Sequence, residues 1–485
     1  MVLARQQPDV VHWRRETLEG QVPARMSHSV DRFRADEPPH TINVTELIDA
    51  APLIGPPSWI ISLTFLILIA DGYDIQSIAF AAPALAVSWG VKRQLLGPVL
   101  ASGIVGMGIG SVLMGRLADR IGRKLAFCIC IGALSAGSLL SAASSNLDQL
   151  VLFRFLTGLG LGGAAPLAAS LSAEWTPARW RSLAVAIVIV GVPLGGMLGA
   201  VVAEQIIPSH GWRSVFLVGA ISPVLLLVLS LPKLPESPKY LVGRPMERQR
   251  LARALNRLQR GTLFTGSESF SIAEPEPAGR IALVTLVRAP FLATSLLLWT
   301  AFSCNTLALY GFVNWLPTVL SASGISLGTA LRGSVWFNSG GIIGSVAGSL
   351  LIGTYGSRNV GTSAALAGCI AATALGVITS SADHTTTAMM FSLVVLAGAS
   401  LNGMQAFLYT VSAHSYPTYI RGTGMGAAAA VSRIGGVLSS VVGSAFFAAG
   451  LSVGSFFYIL AAVILITAVS FFALRRQVPP RRKPA

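Results

Sequence analysis

Twelve apolar runs, each about as long as a helix needs to cross the roughly 30 Å core of a bilayer, are separated along the chain by short polar breaks. They span 59–82, 95–115, 125–144, 150–172, 183–204 and 213–231, then 289–320, 334–353, 360–380, 388–412, 424–446 and 452–474. Each predicts a transmembrane helix. The runs are rich in small residues, as in Ser102-Gly103-Ile104-Val105-Gly106-Met107-Gly108-Ile109-Gly110, which lets helix backbones approach closely in lipid. Six runs, a polar interval and six more runs imply two halves. The expected organisation is a tail (1–58), a six-helix bundle (59–231), an inter-bundle loop (232–288), a second six-helix bundle (289–474) and a basic tail (475–485). Within the loop, the stretch from Arg244 to Arg260 predicts an amphipathic surface helix, and Glu274-Pro275-Glu276-Pro277 reads as a linker. The first 58 residues show little sustained apolar periodicity and no signal-peptide layout. Met26 is an equal candidate for the natural start.

Composition narrows the class. Of 485 residues only 11% are charged, 53% are apolar and 50 are glycine, against roughly 25% charged in soluble domains. A soluble domain is excluded, and so is disorder. The net charge of +15 raises nucleic acid as a partner, but the bases sit in breaks between apolar runs rather than on a solvated domain face. Their distribution sets orientation instead. With both termini cytoplasmic, 29 of the 35 bases fall on that side. Only Lys92, Arg93, Arg213 and Arg332 fall on the other, while Arg154 and Arg433 lie inside runs. The chain is therefore expected in the cell's inner membrane. Cys128, Cys130, Cys304 and Cys369 lie inside apolar stretches and suggest neither disulfide nor metal. There is no Gly-rich phosphate loop ending in Gly-Lys-Ser/Thr, and neither an enzyme nor a cofactor is expected.

Between the second and third runs stands Gly115-Arg116-Leu117-Ala118-Asp119-Arg120-Ile121-Gly122-Arg123-Lys124. Gly115 would permit close packing and Asp119 would cap or pair with a helix terminus. The pattern G-x-x-x-D-R-x-G-R-K resembles the signature loop of the major facilitator superfamily. Arg154-Phe155-Leu156-Thr157-Gly158-Leu159-Gly160, Gly211-Trp212-Arg213 and Pro235-Glu236-Ser237-Pro238 resemble further motifs of that superfamily, in the same order. Asp71-Gly72-Tyr73-Asp74 in the first run resembles the D-G-x-D motif of the aromatic acid:proton symporters, a narrower family. So do the stretches Tyr310–Pro317 and Tyr416–Gly424, the latter leading to Arg433. One departure is Ser357, in the second-half counterpart of the signature loop, where that family usually has an acid. The resemblance implies an all-α membrane protein of the major facilitator fold. Its twelve transmembrane helices would form two pseudo-symmetric six-helix bundles that rock about a midplane site. It also implies symport of protons with a small aromatic carboxylate, by a monomer. Helices one, four, seven and ten would line the cavity, which places Tyr310, Asn314 and Tyr409 near substrate.

The charges inside the runs carry a physical argument of their own. Asp71 and Asp74 share a helix face, and two ionised carboxylates that deep are costly unless hydrated or paired. At least one is expected to bind and release a proton near neutral pH. The alternative is a structural pair bonded to a neighbouring helix. Arg154 would either hold a substrate carboxylate or serve as an internal partner for Asp71 or Asp74. Arg433 lies about 13 Å inside its run at 1.5 Å per residue. Its half contains a single acid, Asp383 in a loop, so a substrate role is preferred. Glu174 is expected in a gating cluster with Asp119 and Arg123. His414, the titratable group deepest in the second half, reads as a packed helix-end histidine. Two other readings stay open: a carrier of another solute (an aliphatic acid, a sugar or an exported drug), or a sensor that binds ligand without moving it.

Overall fold

The computed structural model describes residues 41–258, 264–272, 283–380, 387–475 and 477–479. Most of the expected tail (residues 1–40, with Met26), the Glu274–Pro277 linker and residues 480–485 lie outside the described residues. The first bundle comprises α2 (Pro56–Trp89), α3 (Leu96–Ile121), α4 (Arg123–Ala143), α5 (Leu147–Glu174), α6 (Ala178–His210) and α7 (Arg213–Ser230), preceded by a short α1 (Val44–Ala50). After α8 (Pro238–Val242) and α9 (Arg248–Leu258) comes the second bundle. It contains α10 (Leu292–Ala322), α11 (Leu327–Tyr355), α12 (Ser357–Ser380), α13 (Thr387–Ser415), α14 (Thr418–Ala448) and α15 (Val453–Ala473).

Eleven of these helices are long and apolar enough to cross a membrane. Among the twelve bundle helices the exception is α7, whose 18 residues span roughly 27 Å. Most helices run beyond the apolar stretch that signals them: α2 covers 34 residues and α6 covers 33. Capping residues outside the apolar stretch set the ends. Pro56 and Pro57 open α2 and left-handed Gly90 closes it, while the Asn146 side chain accepts from Gln149 N at the start of α5 and Ser326 does the same for Thr329 N at α11.

Among the extensive pairings inside the first bundle are α3 with α5, α2 with α6 and α4 with α7. In the second they are α11 with α13, α10 with α14 and α12 with α15. The second set repeats the first in order, so the two halves are structural repeats. Between bundles, α6 packs on α11, α3 on α14 and α2 on α10. Small residues permit this density: a Cβ on Gly158 of α5 would collide with the Gly103 carbonyl of α3.

At the signature-loop end, β1 (Thr41–Asn43) pairs in parallel with β2 (Ser269–Ser271). The Asp49 carboxylate of α1 accepts from Ala178 N at 2.7 Å and lies 3.7 Å from Arg181. The end of the tail and part of the inter-bundle segment thus clasp each other against the first bundle. Helix α9 falls within the basic stretch read as a surface helix, with Leu251, Ala252, Leu255 and Leu258 buried.

Candidate functional site

The middle of α2 carries four buried polar side chains, Asp71, Asp74, Gln76 and Ser77. Asp74, fully buried, accepts from the Ser138 hydroxyl of α4 and from Arg154 Nη1 of α5 at 3.3 Å. Arg154 Nη2 also donates to the Asp74 carbonyl at 3.0 Å, and the Phe216 ring of α7 lies 5.5 Å from the guanidinium. At 2% exposure, Arg154 is taken up by the first bundle. The pairing is the internal one foreseen as the alternative to a substrate role, because the α2–α5 crossing sets Arg154 against Asp74. Gly219 of α7 makes room for the pair, since a Cβ there would stand 2.7 Å from Asp74 Oδ1.

Asp71, one turn earlier, is different. It is 1% exposed and neither carboxyl oxygen has a hydrogen-bond partner. A buried charge without partners is strongly disfavoured. The charges that act on it include Asp74 on its own helix and Arg433 on α14 of the other bundle. Arg433 begins about 22 Å along α14 and its Nη1 lies 3.5 Å from the Tyr310 hydroxyl of α10. An acid that Arg433 influences electrostatically therefore belongs to the opposite half, which a census of its own half missed. Asn314 is buried on α10 with its amide nitrogen unpartnered. Tyr409 on α13 is 40% exposed and meets Phe302 edge-on at 5.1 Å. Asp71, Arg433 and Tyr310 thus gather where the bundles meet.

Beyond this level the bundles are bonded to each other at the end away from the signature loop. Gln76 of α2 and Asn338 of α11 exchange two amide hydrogen bonds, both 3.0 Å, while buried. Glu204 Oε1 accepts from Arg332 Nε at 2.8 Å, and the Ser444 hydroxyl donates to the Gln94 carbonyl. Sequence reading missed Gln76 and Asn338. A further polar residue in the same apolar run, two positions beyond Asp74, was the available signal.

The signature loop is built around Gly122, whose φ of +98° disfavours other residues and whose missing side chain leaves space for Glu236 and Tyr240. Glu236 accepts from Lys124 N at 3.0 Å and Ser237 N at 2.8 Å, and Ser237 Oγ donates to Glu174 at 2.5 Å. Arg123 pairs with Glu174. The Arg120 carbonyl accepts from Arg244 Nη2 at 2.6 Å. Two expectations need correction. Asp119 is exposed and forms no ion pair or hydrogen bond among the described residues, because it faces outward from the last turn of α3. Gly115 packs against nothing within 4 Å of where its Cβ would be, since the bundles do not meet around it. His414, read as packed, is exposed.

Two repeated six-helix bundles, with charged side chains set inside the apolar helices of both, define a multi-pass membrane transporter rather than an enzyme. The chain belongs to the Major Facilitator Superfamily, which it matches over residues 64–440 and 336–485. Among characterised relatives, the 4-hydroxybenzoate transporter PcaK of Pseudomonas aeruginosa is 35% identical over 89% of this chain and 95% of its own length. The gallate transporter of Pseudomonas putida is 32% identical over 89% and 95%. Among solved structures, the inward open conformation of the Escherichia coli xylose transporter XylE superposes with a TM-score of 0.66. It is 18% identical, with 87% of this chain and 97% of that one covered, a likeness of fold.

Proposed function

We propose that this transporter imports a small aromatic carboxylate together with protons across the inner membrane, as a monomer with both termini in the cytoplasm. The relatives named for 4-hydroxybenzoate and gallate support the substrate class, and the distribution of bases supports the orientation. The observation that carries the coupling is Asp71, buried without a hydrogen-bond partner and under the electrostatic influence of Arg433 across the bundle interface. When Asp71 holds a proton, the guanidinium of Arg433 is free to take the substrate carboxylate. When the proton leaves, the Asp71 carboxylate competes for the same cation and favours release. Tyr310 and Tyr409 offer ring faces to an aromatic substrate. The bonds at the far end join the bundles on that side, as a state closed to the exterior would require. Rocking would exchange them for contacts around Asp119 and Gly115.

Uptake of labelled 4-hydroxybenzoate, gallate and benzoate into proteoliposomes tests the reading, with and without an acidic exterior, and with xylose as the uncharged comparison. Accumulation of an aromatic acid that requires the pH gradient is the expected result. Uptake indifferent to the gradient, or confined to the sugar, overturns it.

A further inference from the structure

A cavity of about 530 Å3 lies at the signature-loop end of the first bundle, outside the transport site. Its apolar wall is formed by Ile121 and Leu125 at the α3–α4 junction and by Leu231 and Leu234 after α7. Its rim is basic: Lys124 together with Arg250, Arg253 and Arg257 of α9. The two acids beside them are engaged. Glu236 accepts from the backbone of Lys124 and Ser237, and Glu247 pairs with Arg250 at 3.1 Å. Arg253 and Arg257, one turn apart and exposed, have no anionic partner among the described residues. The opposite face of α9 is buried through Leu251, Leu255 and Leu258, so the arginines are held in place.

A second observation fixes the depth of this cavity in a membrane. Trp59, 54% exposed at the start of α2, carries the Lys233 ammonium 4.3 Å from its ring. An exposed tryptophan topped by a base marks the headgroup level, and Lys233 lies between the wall residues Leu231 and Leu234. Leu125 and Leu231 are exposed on the surface below. A phosphate at this level meets paired guanidiniums, and acyl chains continuing from it meet apolar side chains.

We propose that this cavity binds an anionic glycerophospholipid, with its phosphate held by Arg253 and Arg257 and its chains lying against Leu125 and Leu231. Basic pockets at helix ends on the membrane surface suit such headgroups. Binding fastens α9, and with it the inter-bundle segment, to the first bundle and the adjoining leaflet.

Native mass spectrometry of the purified full chain, titrated with phosphatidylglycerol or phosphatidylcholine, tests this. The wild type should retain phosphatidylglycerol preferentially. Arg253→Gln with Arg257→Gln should weaken that retention by about 10- to 30-fold and leave phosphatidylcholine unchanged. Lys92→Gln with Arg93→Gln, an equal charge loss at the other end of the bundle, should have no effect. The proposal is overturned if the wild type does not prefer the anionic lipid, a result that needs no variant. It is equally overturned if both double variants lose the same affinity, or if inorganic phosphate displaces the lipid, which would make free phosphate the ligand.

Discussion

Asp71 and Asp74 are one turn apart and chemically identical, yet replacing each by Asn should have opposite consequences. Asp74→Asn removes the anion from a buried ion pair and leaves Arg154 uncompensated at 2% exposure. Losing one partner of such a pair costs about 3–5 kcal/mol. Arg154 keeps its 3.0 Å bond to the carbonyl of residue 74 and its contact with Phe216, so the loss should fall at the lower end, about 3 kcal/mol. Adding Arg154→Gln should recover part of it, because the stranded charge disappears. Asp71→Asn breaks no hydrogen bond, since neither oxygen has a partner, and it exchanges a carboxyl for an amide of the same shape. Its stability should stay within about 1 kcal/mol of wild type. Its transport should change instead. Each coupled proton contributes about 1.36 kcal/mol per pH unit, so a one-unit gradient supports roughly tenfold accumulation in the wild type, while Asp71→Asn should only equilibrate substrate. Thermal unfolding in detergent and counterflow against net accumulation in proteoliposomes separate the two effects. The reasoning is refuted if Asp71→Asn destabilises as much as Asp74→Asn, or if Asp71→Asn still concentrates substrate.

Four further outcomes are expected. Arg433→Lys keeps the charge but loses the planar two-point match to a carboxylate, and calorimetry should show binding weakened by about 1–3 kcal/mol, with none detectable for Arg433→Ala. Gly219→Val should push Asp74 out of reach of Ser138 and Arg154, lowering the unfolding temperature as Asp74→Asn does. Gln76→Leu leaves the Asn338 amide buried without its partner and should cost about 1–3 kcal/mol, whereas adding Asn338→Leu should restore stability; equal losses in the single and double variants would contradict the paired geometry. A reporter that is active only in the cytoplasm, fused after Ala485, should be active, and activity of a periplasm-dependent one there would reverse the proposed orientation.

The twelve apolar runs could be read along the chain because hydrophobic length and small-residue content are local properties, and lipid demands both within each helix. The internal charges Asp71, Asp74, Arg154 and Arg433 stood out for the same reason: a charge inside an apolar run is costly wherever the helix packs. Which charge meets which was not legible. Arg154 and Asp74 are 80 residues apart in the chain and adjacent only because α2 crosses α5. An acid that Arg433 influences electrostatically lies in the other half. Asp119 and Glu174 looked alike as loop acids. Glu174 meets Ser170 on its own helix, and tertiary placement adds Ser237 and Arg123, whereas Asp119 faces outward. Helical periodicity reports the face a residue occupies, not the helix that covers that face. The energy of a buried charge depends on its nearest few ångströms, so the pairing is decided by how the helices pack.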